Sequence, residues 1–133
     1  MGAEAWDYFV PYEEDIEQAL EKLRQEEFRA GRFRGAEFHP ATIDEAFENS
    51  EEDGTASILD ITHIADEPEF FAVTPLPRNE LVRLFGTDQP TRKMIEATML
   101  DIYEEIDRGQ GIYIIAHKDG KPSEIFFGGY SFD

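Results

Sequence analysis

Bulky and polar residues alternate from Ala5 to Val10, with Trp6, Tyr8 and Val10 on one side and Ala5, Asp7 and Phe9 on the other. A period of two built from aromatic and β-branched residues predicts a strand, and Pro11 ends it. From about Glu13 to Ala30 the period becomes helical: Ile16, Ala19, Leu20 and Leu23 share a face, acidic residues open the first turn, and Gly31 closes the segment. Thr42 and Glu45 have the spacing of a capping box, which predicts a short helix carrying Ile43, Ala46 and Phe47. Over Ser57–Ile64 the alternation of Leu59, Ile61 and His63 favours a strand, although Ile58 and Ile61 also suit a helical turn. Phe70–Thr74 is a further strand, which Pro75 and Pro77 should keep from a central position at its end.

Asn79–Phe85 reads as a short helix closed by Gly86, and Thr91 caps a longer one in which Ile95, Met99, Ile102 and Ile106 form an apolar stripe. Gly111–His117 and Ser123–Phe127 flank Asp119-Gly120, a pair that tolerates the positive φ angles of a tight turn, so they form a hairpin. A two-residue loop there sets Ile114 opposite Ile125 and Ile112 opposite Phe127 on one face, with Tyr113 opposite Phe126 on the other. Both faces are apolar enough to need cover. The element order predicts one α+β domain over residues 1–133, with an antiparallel or mixed sheet of about four or five strands and helices mainly on one face.

Composition bounds what such a domain does. The chain has 133 residues, 41% of them apolar, which is enough for a packed core without staples. It has no cysteine, which excludes disulfides, a thiolate nucleophile and Cys-ligated metal. No apolar run approaches the roughly 20 residues of a membrane span, and the first residues are acidic where a signal peptide is basic, so a cytoplasmic location is expected. The net charge of −18 opposes nucleic acid and anionic membranes as partners and favours a basic protein. The imbalance is steepest up to Asp53, where sixteen carboxylates face five Lys/Arg, and it includes the acidic loop Glu48–Gly54. Glu48, Glu51 and Glu52 are therefore the candidate partner-binding residues.

Nucleotide-cradling, dinucleotide-binding, serine-elbow and zincin motifs are all absent, and no cofactor is implied. His39, His63 and His117 lie on three different predicted elements, without metal-ligand spacing, and Asp60 and His63 share a face only if their segment is helical. His117 and Glu124 are diagonal neighbours in the expected hairpin register, near Tyr113. They are candidates for an acid–base pair, or for a charge pair that merely pins register. Glu27 falls on the buried face of the first helix, where a carboxylate must be paired or neutral. A neighbouring arginine supplies the simpler account and a catalytic carboxylate the other. Arg24, Arg29, Arg32 and Arg34 form the basic cluster of an acidic chain; Arg24 and Arg32 could hold an anion, although Glu21, Glu26, Glu27 and Glu37 favour internal pairing. Met94 and Leu100 fall outside the apolar stripe, which leaves room for a weak homodimer beside a monomer.

The segments Ala5–Tyr12, Gly54–Ile61, Leu84–Thr91, Gly109–Ile115 and Pro122–Phe127 resemble those of a family of small uncharacterised single-domain bacterial proteins. The resemblance implies a bacterial origin and a stand-alone domain, with no activity or site to carry over. The leading expectation is a non-enzymatic acidic binding, regulatory or immunity-type protein that engages a basic partner. The alternatives are a small enzyme with a carboxylate/His pocket built from Glu27, Asp7 or the His117 and Glu124 pair, and a DNA mimic.

Overall fold

A computed structural model of the chain describes residues 4–50 and 53–132. The elements run β1 (Ala5–Pro11), α1 (Ile16–Ala30), a 3-10 turn (Ala36–Phe38), α2 (Ile43–Asn49), a second 3-10 turn (Ile58–Asp60), β2 (His63–Ile64) and β3 (Ala72–Pro75). Then come α3 (Arg78–Phe85), α4 (Arg92–Ala97), α5 (Met99–Tyr103), β4 (Gly111–Lys118) and β5 (Lys121–Tyr130). The strands form one mixed sheet in the order β1-β5-β4-β3-β2, antiparallel across β1, β5 and β4 and parallel across β4, β3 and β2. The fold is α+β. No helix among the described residues is long and apolar enough to cross a membrane.

Local chemistry accounts for most element ends. Asp15 accepts a hydrogen bond from the Gln18 amide, so α1 starts three residues later than its acidic approach suggests. Gly31 ends it in the left-handed region at φ 69°, and Gly86 does the same for α3 at φ 75°. The Thr42 hydroxyl accepts from the Glu45 amide, as the capping spacing predicts. Thr98, at φ −111°, breaks the expected long helix into α4 and α5. The stripe survives the break, with Ile95, Ile102 and Ile106 buried and Met99 half-buried.

The segment expected as a strand over Ser57–Ile64 is mostly the second 3-10 turn, with only His63 and Ile64 in the sheet. Two-residue β2 is nevertheless enough to flank β3, which lies inside the sheet with Pro75 at its last position. The hairpin turn forms as expected, with Asp119 at φ 54° and Gly120 at φ 75°. Its register does not. A β-bulge between Ala116 and His117 sets Ile114 opposite Phe126 and Ile115 opposite Ile125, one residue away from the register the turn alone dictates. The groups released at the bulge bond elsewhere: the His117 amide donates to the Pro90 carbonyl (2.8 Å), and the Ser123 carbonyl accepts from the Tyr12 amide (3.1 Å).

That one-residue shift sorts the side chains of the hairpin between two cores. Ile125 and Phe127 join Trp6, Val73 and the apolar sides of α1, α2 and the second 3-10 turn. Ile112, Ile114, Ala116 and Phe126 join Leu76, Ile95, Ile102 and Ile106. The helices therefore cover both faces of the sheet instead of mainly one, because a hairpin that is apolar on both sides needs cover on both. Trp6 packs so closely on the glycines of the sheet that a Cβ on Gly129 would lie 2.5 Å from its ring. Ile102 is fully buried, so Ile102→Ala should destabilise the protein by about 2 to 5 kcal/mol. The check is a fall in urea midpoint at constant slope.

Candidate binding surface

The structure separates most of the side chains that the sequence offers as a site. Glu27, 5% exposed, receives Arg32 Nε at 2.5 Å, so the carboxylate on the apolar face is paired by an arginine just past the end of α1. Arg24 is bound to Glu21 at 2.9 Å, beside a recess of about 380 Å³ that α1 shares with the start of α2. Tyr113 is half-buried near Phe127, its hydroxyl held above the ordinary value by burial and then by Asp66. Asp7 accepts from the Tyr103 hydroxyl at 2.9 Å.

His117 and Glu124 line one open recess of about 510 Å³ without bonding to each other. The bulge takes His117 out of the expected register, opposite Pro122, and Glu124 accepts from Arg92 Nη1 at 2.9 Å. His63 is on β2 and His117 on β4, while His39 follows the first 3-10 turn, and no group of three His/Asp/Glu among the described residues could hold a metal ion. Leu100 is 83% exposed on α5. Glu48 is exposed on α2, while Glu51 and Glu52 lie outside the described residues.

A cluster not foreseen from the pattern forms where the 54–61 segment meets the end of β5. Asp60 is buried: Oδ1 accepts from the Thr55 amide (2.7 Å) and Thr55 Oγ1 (2.9 Å), and Oδ2 accepts from Ser131 Oγ (2.7 Å). Ser57 Oγ shares a bond with Thr55 Oγ1 and accepts from the Leu59 amide. The Tyr8 hydroxyl accepts from the Ile58 amide at 3.2 Å, which fixes the same segment to β1. Burial pushes Tyr8 up to about 12, Ile58 opposing it and the Glu27, Asp60 and Asp7 carboxylates adding to it.

The Asp60–Ser131 bond also determines where Phe132 goes. Its ring meets Phe70 at 5.5 Å and Phe71 at 5.4 Å between centroids, and Phe71 in turn meets Phe47 of α2 at 5.2 Å. Consecutive residues of an extended chain point to opposite sides, yet Phe70 and Phe71 reach the same third ring. The reason is Phe71's backbone, at φ 65°, a left-handed conformation that costs a bulky residue about 1 to 2 kcal/mol. Bonds from the Phe71 amide to the Gly109 carbonyl (2.9 Å) and from the Thr62 amide to the Phe71 carbonyl (2.7 Å) hold it there. Gly109 is required too, since a Cβ would lie 2.5 Å from the Phe132 ring. Phe47, Phe71 and Phe132 are partly covered, and Phe70 is 56% exposed.

Carboxylates adjoin these rings in sequence. Glu48 is next to Phe47, and Glu67 and Glu69 precede Phe70; all three are exposed, and His63 bridges Thr62 and Glu69. Residues 35–77 contain eleven Asp/Glu and no Lys or Arg. Arg34, just before this stretch, donates to the Asp53 and Gly54 carbonyls. No protein-family model, curated protein or solved structure matches the chain.

The cation-free stretch was legible in the sequence as a gap in the Lys/Arg pattern that a division at Asp53 conceals. The convergence of four phenylalanines from three distant segments was not, because only the fold brings Phe47, Phe70, Phe71 and Phe132 together. Asp60→Ala should cost about 3 kcal/mol by removing the acceptor of three buried hydrogen bonds and leaving the Thr55 amide and Ser131 Oγ unpaired, and Ser131→Ala about 1 kcal/mol, both read as urea midpoints. Because Tyr8 titrates higher in the folded chain than unfolded, its contribution to stability is complete below pH 10 and is lost as pH rises toward 12. Absorbance at 295 nm should show this tyrosine ionising late, with melting temperature falling over that interval.

Proposed function

We propose that this is a cytoplasmic, non-enzymatic acidic protein that engages a basic protein partner, as an accessory, regulatory or immunity-type domain. The observation that carries this reading is the stretch 35–77, with eleven carboxylates, of which Asp60 is buried, and no Lys or Arg, beside an aromatic cluster whose Phe70 is exposed. Elsewhere several cations are paired within the chain: Lys22 with Glu13, Arg24 with Glu21, Arg78 with Asp88, Arg83 with Glu80 and Glu105, and Arg92 with Glu124. A field that is locally balanced on one side and unbalanced on another steers a cationic protein toward the unbalanced side and orients it there. Aromatic rings then supply the apolar contact area that surface charge alone lacks.

The enzyme reading has one feature in its favour, His117 Nδ1, which is buried without a hydrogen-bond partner beside the recess that Arg92 and Glu124 line. Glu124 is occupied by Arg92, however, and leaves the histidine without an orienting carboxylate.

The test is kinetic, on a partner retained from host extract at low salt. Its association rate should fall about tenfold or more between low and physiological ionic strength, because exposed charges are screened beyond about 8 Å there. Glu48→Lys with Glu67→Lys should slow association about three- to tenfold while leaving the melting temperature unchanged, since both residues are exposed. An association rate indifferent to salt, or a footprint that avoids residues 35–77, would show that the charge serves solubility alone.

A further inference from the structure

The geometry points to an occupant for the aromatic cluster: an arginine side chain of the partner, its methylenes laid on Phe70 and its guanidinium held by the adjoining carboxylates. The inference rests on the partner being basic and names the residue that enters. Three observations carry it. Phe71 is kept in a strained left-handed conformation, and Gly109 is kept free of a side chain, with the joint result that Phe70, Phe71 and Phe132 pack as one preformed platform. Core packing does not require Phe70 to be part of it, because that ring is more than half exposed.

The second observation is charge. Glu67 and Glu69 come just before Phe70 in sequence and Glu48 just after Phe47, all three exposed and Glu69 shared with His63, within a stretch that supplies no Lys or Arg of its own. An anionic group is repelled there, and a purely apolar side chain would strip water from carboxylates without replacing it. A long cationic side chain satisfies both requirements, with an apolar stem and a charged head. Arginine fits better than lysine, since its planar, weakly hydrated guanidinium stacks on rings and binds carboxylates in two-pronged fashion.

The third is an internal precedent. On the opposite face of the sheet Arg92 lies 4.2 Å above the Phe9 ring while its Nη1 donates to Glu124 at 2.9 Å. The fold thus already uses the combination of phenylalanine, arginine and glutamate once, with all three groups supplied by the chain. At the end of the sheet the chain supplies the rings and the carboxylates, and the arginine comes from outside.

Decapeptides of alternating glycine and arginine, glycine and lysine, glycine and citrulline, and glycine and norleucine test this by NMR titration of the isotopically labelled protein. The arginine peptide should bind at least threefold more tightly than the lysine peptide, with its shifts centred on Phe70, Phe71 and Phe132. The citrulline and norleucine peptides should bind at least tenfold more weakly. Phe70→Ala should weaken arginine binding at least fivefold with an unchanged melting temperature, whereas Phe38→Ala, at a ring 72% exposed elsewhere, should leave it as it was. If the arginine and lysine peptides bind equally and Phe70→Ala has no effect while Glu67→Lys does, the platform is not the seat, although the basic-partner reading stands. Equal binding of the norleucine peptide would reassign the platform to an apolar partner. Failure of every cationic peptide to bind would remove both inferences.

Discussion

A carboxylate buried at Asp60 constrains much of this structure. An ionised oxygen out of water is costly unless donors surround it, and the fold answers with the Thr55 amide, Thr55 Oγ1 and Ser131 Oγ. Those donors come from two distant parts of the chain, so satisfying one side chain closes the 54–61 segment and ties it to the residues after β5. Gly54 is part of the same arrangement, for a Cβ there would lie 2.7 Å from Asp60 Oδ2. Phe132 is the residue directly after Ser131, and the acidic residues 51–53 come directly before Gly54 in sequence. The polar anchor inside therefore determines where the aromatic platform and one flank of the acidic surface are found.

The sheet imposes the second constraint. β5 is paired on both sides, and Ile125, Phe126 and Phe127 are fully buried on alternating faces. Such a strand must be covered above and below, and the bulge at Ala116/His117 decides which β4 residues share each face with it. The three helices α3, α4 and α5 take one face, and α1 and α2 the other. Because α2 ends beside the start of β3, its Phe47 is carried to the same end of the sheet as Phe71. The surface proposed for recognition is thus made by packing that the core already requires, apart from the strain at Phe71 and the exposure of Phe70.

Charge is arranged with similar economy. Arg32 neutralises the one carboxylate on the buried face of α1, and the ion pairs on α1, α3 and α4 join groups near in space. Most of these pairs are exposed and add little to stability. They leave much of the surplus of negative charge in residues 35–77, which contain no Lys or Arg. A net charge of −18 spread evenly would favour solubility alone; on the proposed reading, the eleven carboxylates of residues 35–77 and the exposed Phe70 would give a basic partner both an approach and a contact.

Elements whose cause is local were legible in the chain alone. Alternation defined β1, the 3.6-residue stripe defined α1, and Asp119-Gly120, Gly31, Gly86, Thr42 and Thr91 marked turns and caps, because each acts through its own backbone or that of residues a few positions away. The chain alone also showed that Glu27 needed a partner and that arginines lay within reach. Tertiary structure decided what depends on distant neighbours. The hairpin register shifted because the bulge could bond to Pro90 and Tyr12, which no local rule sees. The segment 57–64 became a turn because Asp60 found donors at Thr55 and Ser131, overriding an alternation that suited a strand. The separation of His117 from Glu124 came from the same bulge and from Arg92, thirty-two residues away in sequence. The aromatic platform needed three distant segments and one strained backbone angle. Periodicity reports which face a residue occupies; only the closed set of hydrogen bonds and contacts fixes what that face meets.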